Sequence, residues 1–158
     1  MIKVAFYRNK GKWWNRLIRF WTSGPYSHCE IVLDPKTGLC VSSSEWDGGC
    51  RYKTIDLHPD HWDLVTLNDV FPHKVKTFAN PKCDAKLKYD WLGILLSQVL
   101  PLARHSKNKW FCSEFCAAAI GLSEAQRYSP NALYRLLSDF NILHHRKKSH
   151  KKDMSHAS

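Results

Sequence analysis

Two side chains far apart along the chain carry its clearest chemistry. Cys112 stands in Trp110-Phe-Cys-Ser-Glu-Phe-Cys-Ala-Ala-Ala-Ile-Gly121, an extended approach followed by a small, apolar helix that Gly121 is placed to end. A thiol in the first turn of such a helix faces unpaired N–H groups and the positive end of the helix dipole, and both favour the nucleophilic thiolate. His28 stands in Tyr26-Ser-His-Cys-Glu-Ile-Val-Leu33, a strand by its β-branched and apolar content, entered from the Gly24-Pro25 turn. An imidazole there can stand at a sheet edge over a helix start and take the thiol's proton. The pair suits nucleophilic acyl transfer. A thiolate attacks an amide or ester carbonyl, the imidazole passes the proton to the leaving group, and water resolves the acyl-enzyme. Backbone N–H groups at the helix start, that of Cys112 among them, would hold the oxyanion. The plainer alternatives are a buried structural cysteine and a hydrogen-bonded strand histidine.

The elements that must bring the two together can be read from periodicity. Phe115, Ala118, Ala119 and Leu122 form a stripe that lets the cysteine helix lie close on a sheet. Period two along the histidine strand sends His28, Glu30 and Val32 one way and Cys29, Ile31 and Leu33 the other. Turns at Asp34–Gly38 and Asp47–Gly49 divide strands Tyr26–Leu33, Leu39–Glu45 and Cys50–Leu57, an antiparallel meander of hairpins. The middle strand carries Ser42, Ser43, Ser44 and Glu45, one hairpin from His28, where a third group could orient the imidazole. Strands Ile2–Tyr7 and Asp63–Leu67 complete the extended set. Helical patterns are expected at Trp13–Trp21, at Pro72–Ala79, from Pro81 onward, and at Tyr89–Leu100. A last helix, Pro130–Asp139, opens on the Ser129 cap with Leu133, Leu136, Leu137 and Phe140 on one side.

Composition bounds the rest. A chain of 158 residues with 44% hydrophobic and 13% aromatic content can bury a core of its own, so one folded domain is expected. The net charge of +10 points to anionic surfaces or polymers, yet much of the excess lies in the tail from His144, which lacks an apolar period and is expected to be disordered. No nucleic-acid motif accompanies the charge, and no specific nucleic-acid partner is expected. The first residues form a strand rather than a signal peptide, and the apolar run 91–103 is shorter than the ~20 residues a membrane span needs, so the expected location is cytoplasmic. Six cysteines without a CxxC pair then read as free thiols, with no metal and no cofactor expected.

Taken in order, Ser27-His28 on a strand, Lys88-Tyr89-Asp90-Trp91, Phe111-Cys112-Ser113-Glu114-Phe115 and Ser129-Pro130-Asn131-Ala132-Leu133 resemble the circularly permuted branch of the NlpC/P60 superfamily of papain-like cysteine hydrolases, the YiiX/YebB-like group. The resemblance spans residues 1–143 and leaves the basic tail, 144–158, outside. It implies an α+β papain-like fold, permuted so that the histidine precedes the cysteine, with an antiparallel sheet packed against the cysteine helix. It implies Cys112 as nucleophile, His28 as general base and Tyr89 beside the site, with Trp110 and Ser113 as flanking substrate contacts. In that family the strand after the histidine often supplies a glutamate. Here that stretch reads Val41-Ser-Ser-Ser-Glu45, making Glu45, or a serine of 42–44, the expected third member.

The expected function is therefore cleavage of an amide, in a peptide, cell-wall peptide or isopeptide, by a monomer. Acyl-ester hydrolysis or acyl transfer at an anionic membrane is the alternative, since the aromatic, basic Trp13–Trp21 helix and the tail would suit such a surface. A module that keeps the fold but only binds is the third.

Overall fold

A computed structural model describes residues 1–8, 24–44, 46–85, 88–89 and 109–141. The sequence expectations for Trp13–Trp21, Glu45, the run 91–103 and the tail fall outside those residues. Five strands, β1 (Ile2–Tyr7), β2 (His28–Asp34), β3 (Leu39–Ser44), β4 (Gly49–Thr54) and β5 (Trp62–Leu67), form one antiparallel sheet in the order β4-β3-β2-β1-β5. The meander read from the turns is β2-β3-β4, and β1 lies between β2 and β5.

Helix α1 (Pro72–Asp84) is continuous where the sequence suggests two segments, and Pro81 lies inside it. The proline falls in the last turn, so the ladder forgoes only the N–H that proline lacks, and the Ala85 N–H still closes onto the Pro81 carbonyl at 3.2 Å. Two short strands, β6 (Lys88–Tyr89) and β7 (Lys109–Trp110), pair in parallel. Tyr89 is thus extended where a helix start is expected. Helix α2 (Cys112–Ala119) follows, then a short 3-10 turn at Ala125–Arg127 and helix α3 over residues 130–141.

Helix α2 begins and ends where the residue types dictate. Gly121 takes a left-handed conformation, φ 88°. Its N–H bonds the Ala118 carbonyl at 3.0 Å while that of Leu122 reaches Ala117 at 2.9 Å, the paired bonds of a Schellman stop. The small residues of α2 let it lie against β2 and β3. The main core gathers Ile2, Val4 and Phe6 of β1 with Cys29, Ile31 and Leu33 of β2, beneath Phe115 and Cys116 of α2 and Leu133 and Leu137 of α3. A smaller cluster of Ala5, Val32 and Cys40 covers the other sheet face, with Ile55, Leu57 and Trp62 against it. Phe140 departs from the expected stripe. It borders a cleft with Leu67, Ile120, Leu122 and Leu137, and remains 57% exposed because Leu133 and Leu137 already reach the core. No helix among the described residues is long and apolar enough to cross a membrane.

Helix α3 pins the chain just ahead of the histidine. Ser129 caps it, its hydroxyl accepting from the Ala132 N–H at 3.2 Å. Buried Asn131 then accepts from the Tyr26 N–H at 3.0 Å and donates to the Tyr26 carbonyl at 2.9 Å, a double bond pair two residues before His28. Gly24 is what allows the approach, since a Cβ there would stand 2.2 Å from the Asn131 side-chain oxygen. Asn131→Ala strips two buried backbone groups of their partners. The expected loss is about 2–4 kcal/mol, read as a melting temperature lower by roughly 5–15 °C. An unchanged melt would mean that the Tyr26 backbone is satisfied elsewhere.

Candidate active site

The two residues singled out from the sequence meet. The Cys112 thiol, on the first residue of α2, lies close enough to the His28 imidazole, on the first residue of β2, for each to shift the ionisation of the other. The sheet makes room for this. The ladder between β2 and β3 runs from Asp34–Leu39 only as far as Ile31–Val41, whereas β3 continues to Ser44 against β4. Beyond that last pair the Cys29 carbonyl accepts the Ser42 hydroxyl at 2.8 Å.

The carboxylate that meets the imidazole is that of Glu30. It takes the His28 Nε2–H at 2.7 Å, which leaves Nδ1 for the sulfur. The expected Glu45 lies outside the described residues, and none of the serines of 42–44 is hydrogen-bonded to the ring. The Ser42 hydroxyl is held by Cys29, the Ser43 hydroxyl donates to the Trp110 carbonyl at 2.6 Å, and Ser44 is buried without a contact to His28. Glu30 was within reach of sequence reasoning. Period two already places it on the face of His28, and neighbours at i and i+2 on one strand face need no partner strand to meet.

Glu30 is in turn gripped by a residue with no sequence signal. Arg51 of β4 donates Nη1–H to Oε2 at 2.8 Å and Nη2–H to Oε1 at 2.6 Å, while its Nε–H goes to Asp47 at 2.7 Å. Lys53 adds a second cation on Asp47, at 2.7 Å. The line from thiol to surface is thus Cys112, His28, Glu30, Arg51, Asp47.

Charge along this line alternates, and that sets the protonation states. Burial opposes charge on the His28 ring, but the Cys112 thiolate and then the Glu30 carboxylate outweigh it and hold the imidazole up at about 10. Burial likewise opposes the thiolate at Cys112. The Cys29 thiol, the imidazolium and the Cys29 N–H overcome it and bring Cys112 well below the usual thiol range. Burial also disfavours the Glu30 carboxylate, yet His28 and Arg51 keep it ionised, below the ordinary carboxylate range. The thiols of Cys29, Cys40, Cys50 and Cys83 move the other way, raised first of all by burial. All six cysteines are free thiols. The directions at His28 and Cys112 both favour a thiolate–imidazolium pair.

The sulfur is closed in. Cys112 is 1% exposed while the His28 side chain is 23% exposed, so solvent meets the pair on its imidazole side. The cleft beside Phe140, and a second of about 430 Å³ bordered by Asp47, Arg51 and Cys83, touch neither residue.

Two of the expected substrate contacts, Trp110 and Ser113, are buried. Trp110 packs edge-on to Phe78 and Phe115, with ring centroids at 5.6 and 6.3 Å. The fully buried Ser113 donates its hydroxyl to the Tyr128 carbonyl, tying α2 to the chain ahead of α3. The backbone of Tyr89 lies in β6, one strand pairing from Trp110. Among the described residues no group of histidine, cysteine and carboxylate side chains could hold a metal ion.

Alkylation of Cys112 by iodoacetamide, followed on its own peptide by mass spectrometry, tests the charge state. A lowered thiol keeps its thiolate at every pH above that value, so the rate should be flat through neutrality and fall only in acid. In His28→Ala the imidazolium is gone and burial dominates, so the onset should move to about pH 9 or above. An onset shared by the two proteins would remove the ion pair. Neither a protein-family model nor a curated protein matches this chain.

Proposed function

We propose that this protein is a cysteine hydrolase that cleaves an amide bond, in a peptide or isopeptide, through an acyl-enzyme on Cys112. The observation that carries this is the Cys112 thiol set against the His28 imidazole, whose Nε2 is hydrogen-bonded at 2.7 Å to the buried Glu30 carboxylate. A thiolate already formed needs no base to attack. The His28 imidazolium then hands its proton to the departing amine, becomes neutral, and in the second half-reaction draws a proton from water as it adds to the thioester. Glu30 fixes the ring so that Nδ1 faces the sulfur and stabilises its charged form, the part a buried carboxylate plays behind a catalytic imidazole. The first N–H groups of α2 have no acceptor within the helix and lie beside the sulfur, where an oxyanion would form.

A cysteine at the start of a buried helix, a histidine earlier in the chain on an antiparallel strand, and a carboxylate behind it also support the resemblance to the permuted NlpC/P60 hydrolases. We take the papain-like architecture as part of the same proposal. The case for a module that only binds was the want of an orienting residue, and Glu30 meets that want. Nothing at the described site favours a lipid ester over an amide.

Turnover of a chromogenic peptide amide in lipid-free solution is the direct test. Cys112→Ala should abolish it, and His28→Ala should lower kcat by about 10²–10⁴-fold, each with the melting temperature little changed. A variant without the sulfur that turns over at the parent rate ends the proposal.

The pH profile supplies a second test. Hydrolysis needs the proton on His28, whose value is raised, so the rate should fall as pH rises through about 10. Alkylation of the persisting thiolate should not fall there. Parallel profiles for the two reactions would deny the imidazolium its part as acid.

A further inference from the structure

We infer that Arg51 is a positioning residue of this site, acting on the thiol through Glu30 by gripping both oxygens of the carboxylate that is bonded to His28. The inference rests on the hydrolase reading for its purpose and on geometry for its substance.

Strands β2 and β4 are separated by β3, about 10 Å between their axes. Arg51 spans that distance to place two N–H donors on the two Glu30 oxygens, at 2.8 and 2.6 Å. The Glu30 side chain is 1% exposed and that of Arg51 15%, so water does little to share the task. A guanidinium fork meets both oxygens at once and prevents the carboxylate from turning, which a single ammonium cannot do. Glu30 Oε1 accepts from His28 and Arg51 together, so the oxygen that orients the imidazole is one the arginine holds. Asp47, bonded to Nε, fixes the fork from its outer side.

Among the described residues the titratable groups around this cluster are His28 on β2, Cys40 on β3, Cys50 on β4 and Lys82, Cys83 and Asp84 on α1, with Asp47 and Lys53 at the surface. The thiols of Cys40 and Cys50 are held up at about 12 and about 11, so neither supplies a competing anion near neutrality. Without Arg51, burial would favour the neutral acid at Glu30. A neutral Glu30 no longer steadies the imidazolium, and a weaker imidazolium no longer holds the thiolate.

The measurement is the pH onset of Cys112 alkylation by iodoacetamide in the full chain. It reads the thiol directly and requires no turnover. Arg51→Met should raise the onset by about one pH unit, a tenfold lower rate on the rising limb. Glu30→Gln should raise it at least as far, and Glu30→Gln with Arg51→Met no further than Glu30→Gln alone, because the arginine acts only through the carboxylate. Asp47→Asn, a milder change nearer the surface, should shift it the same way by less, and near-UV circular dichroism shows which variants keep the fold.

An unmoved onset in Arg51→Met and Asp47→Asn beside a shifted one in Glu30→Gln would overturn the inference, and so would additive shifts in the double variant. Failure of the hydrolase reading looks different. It would be a parent chain with this alkylation behaviour intact and no amide cleaved.

Discussion

Every other feature of the site depends on one buried negative charge, the carboxylate of Glu30. Alone in the interior it would take up a proton, because burial penalises the ion by several kcal/mol. It stays ionised because Arg51 and His28 bond it from two sides. That charge steadies the imidazolium, and the imidazolium steadies the thiolate. The favoured ionisation of Cys112 thus owes as much to a carboxylate on strand β2 as to the place of the thiol at a helix start.

Such an arrangement is poor value as a fastening. A buried ion pair roughly breaks even against well-packed hydrocarbon of the same volume, whereas removing one partner costs about 3–5 kcal/mol. Four charged or polar side chains lined up through a small sheet are therefore better understood as orientation than as stability. The apolar work is done nearby, by Cys29, Ile31 and Leu33 under α2 and by Phe115 against Phe78 and Trp110. Strand β2 serves both needs through its alternation, with apolar residues toward the helices and His28 and Glu30 on the other side. The ladder to β3 stops short of His28, and the sulfur reaches the imidazole where it stops.

Local pattern was enough for much of this. The strand holding His28, the helix opening at Cys112 and stopping at Gly121, the Ser129 cap and the hairpins after Asp34 and Asp47 all follow from turn chemistry and periodicity. Those are properties of neighbouring residues, and neighbouring residues are what a sequence presents. Glu30 was legible by the same rule, since it shares a strand face with His28. A search for the carboxylate on the adjacent strand passed over it. Pro81 misled for the opposite reason, because a local breaker in a last turn is outweighed by the packing of the helix around it.

Residue types and spacing by themselves determined that a thiol would sit at a helix start, that an imidazole would open a strand, and that the chain could bury a core around them. The tertiary structure alone decided that the two touch, that Ser113 and Trp110 turn into the packing, and that Arg51 grips Glu30. Each of these depends on strand order and register, which bring together groups distant in the chain. A one-residue slip of β4 would carry the guanidinium to the opposite face of the sheet without altering one local preference in the sequence.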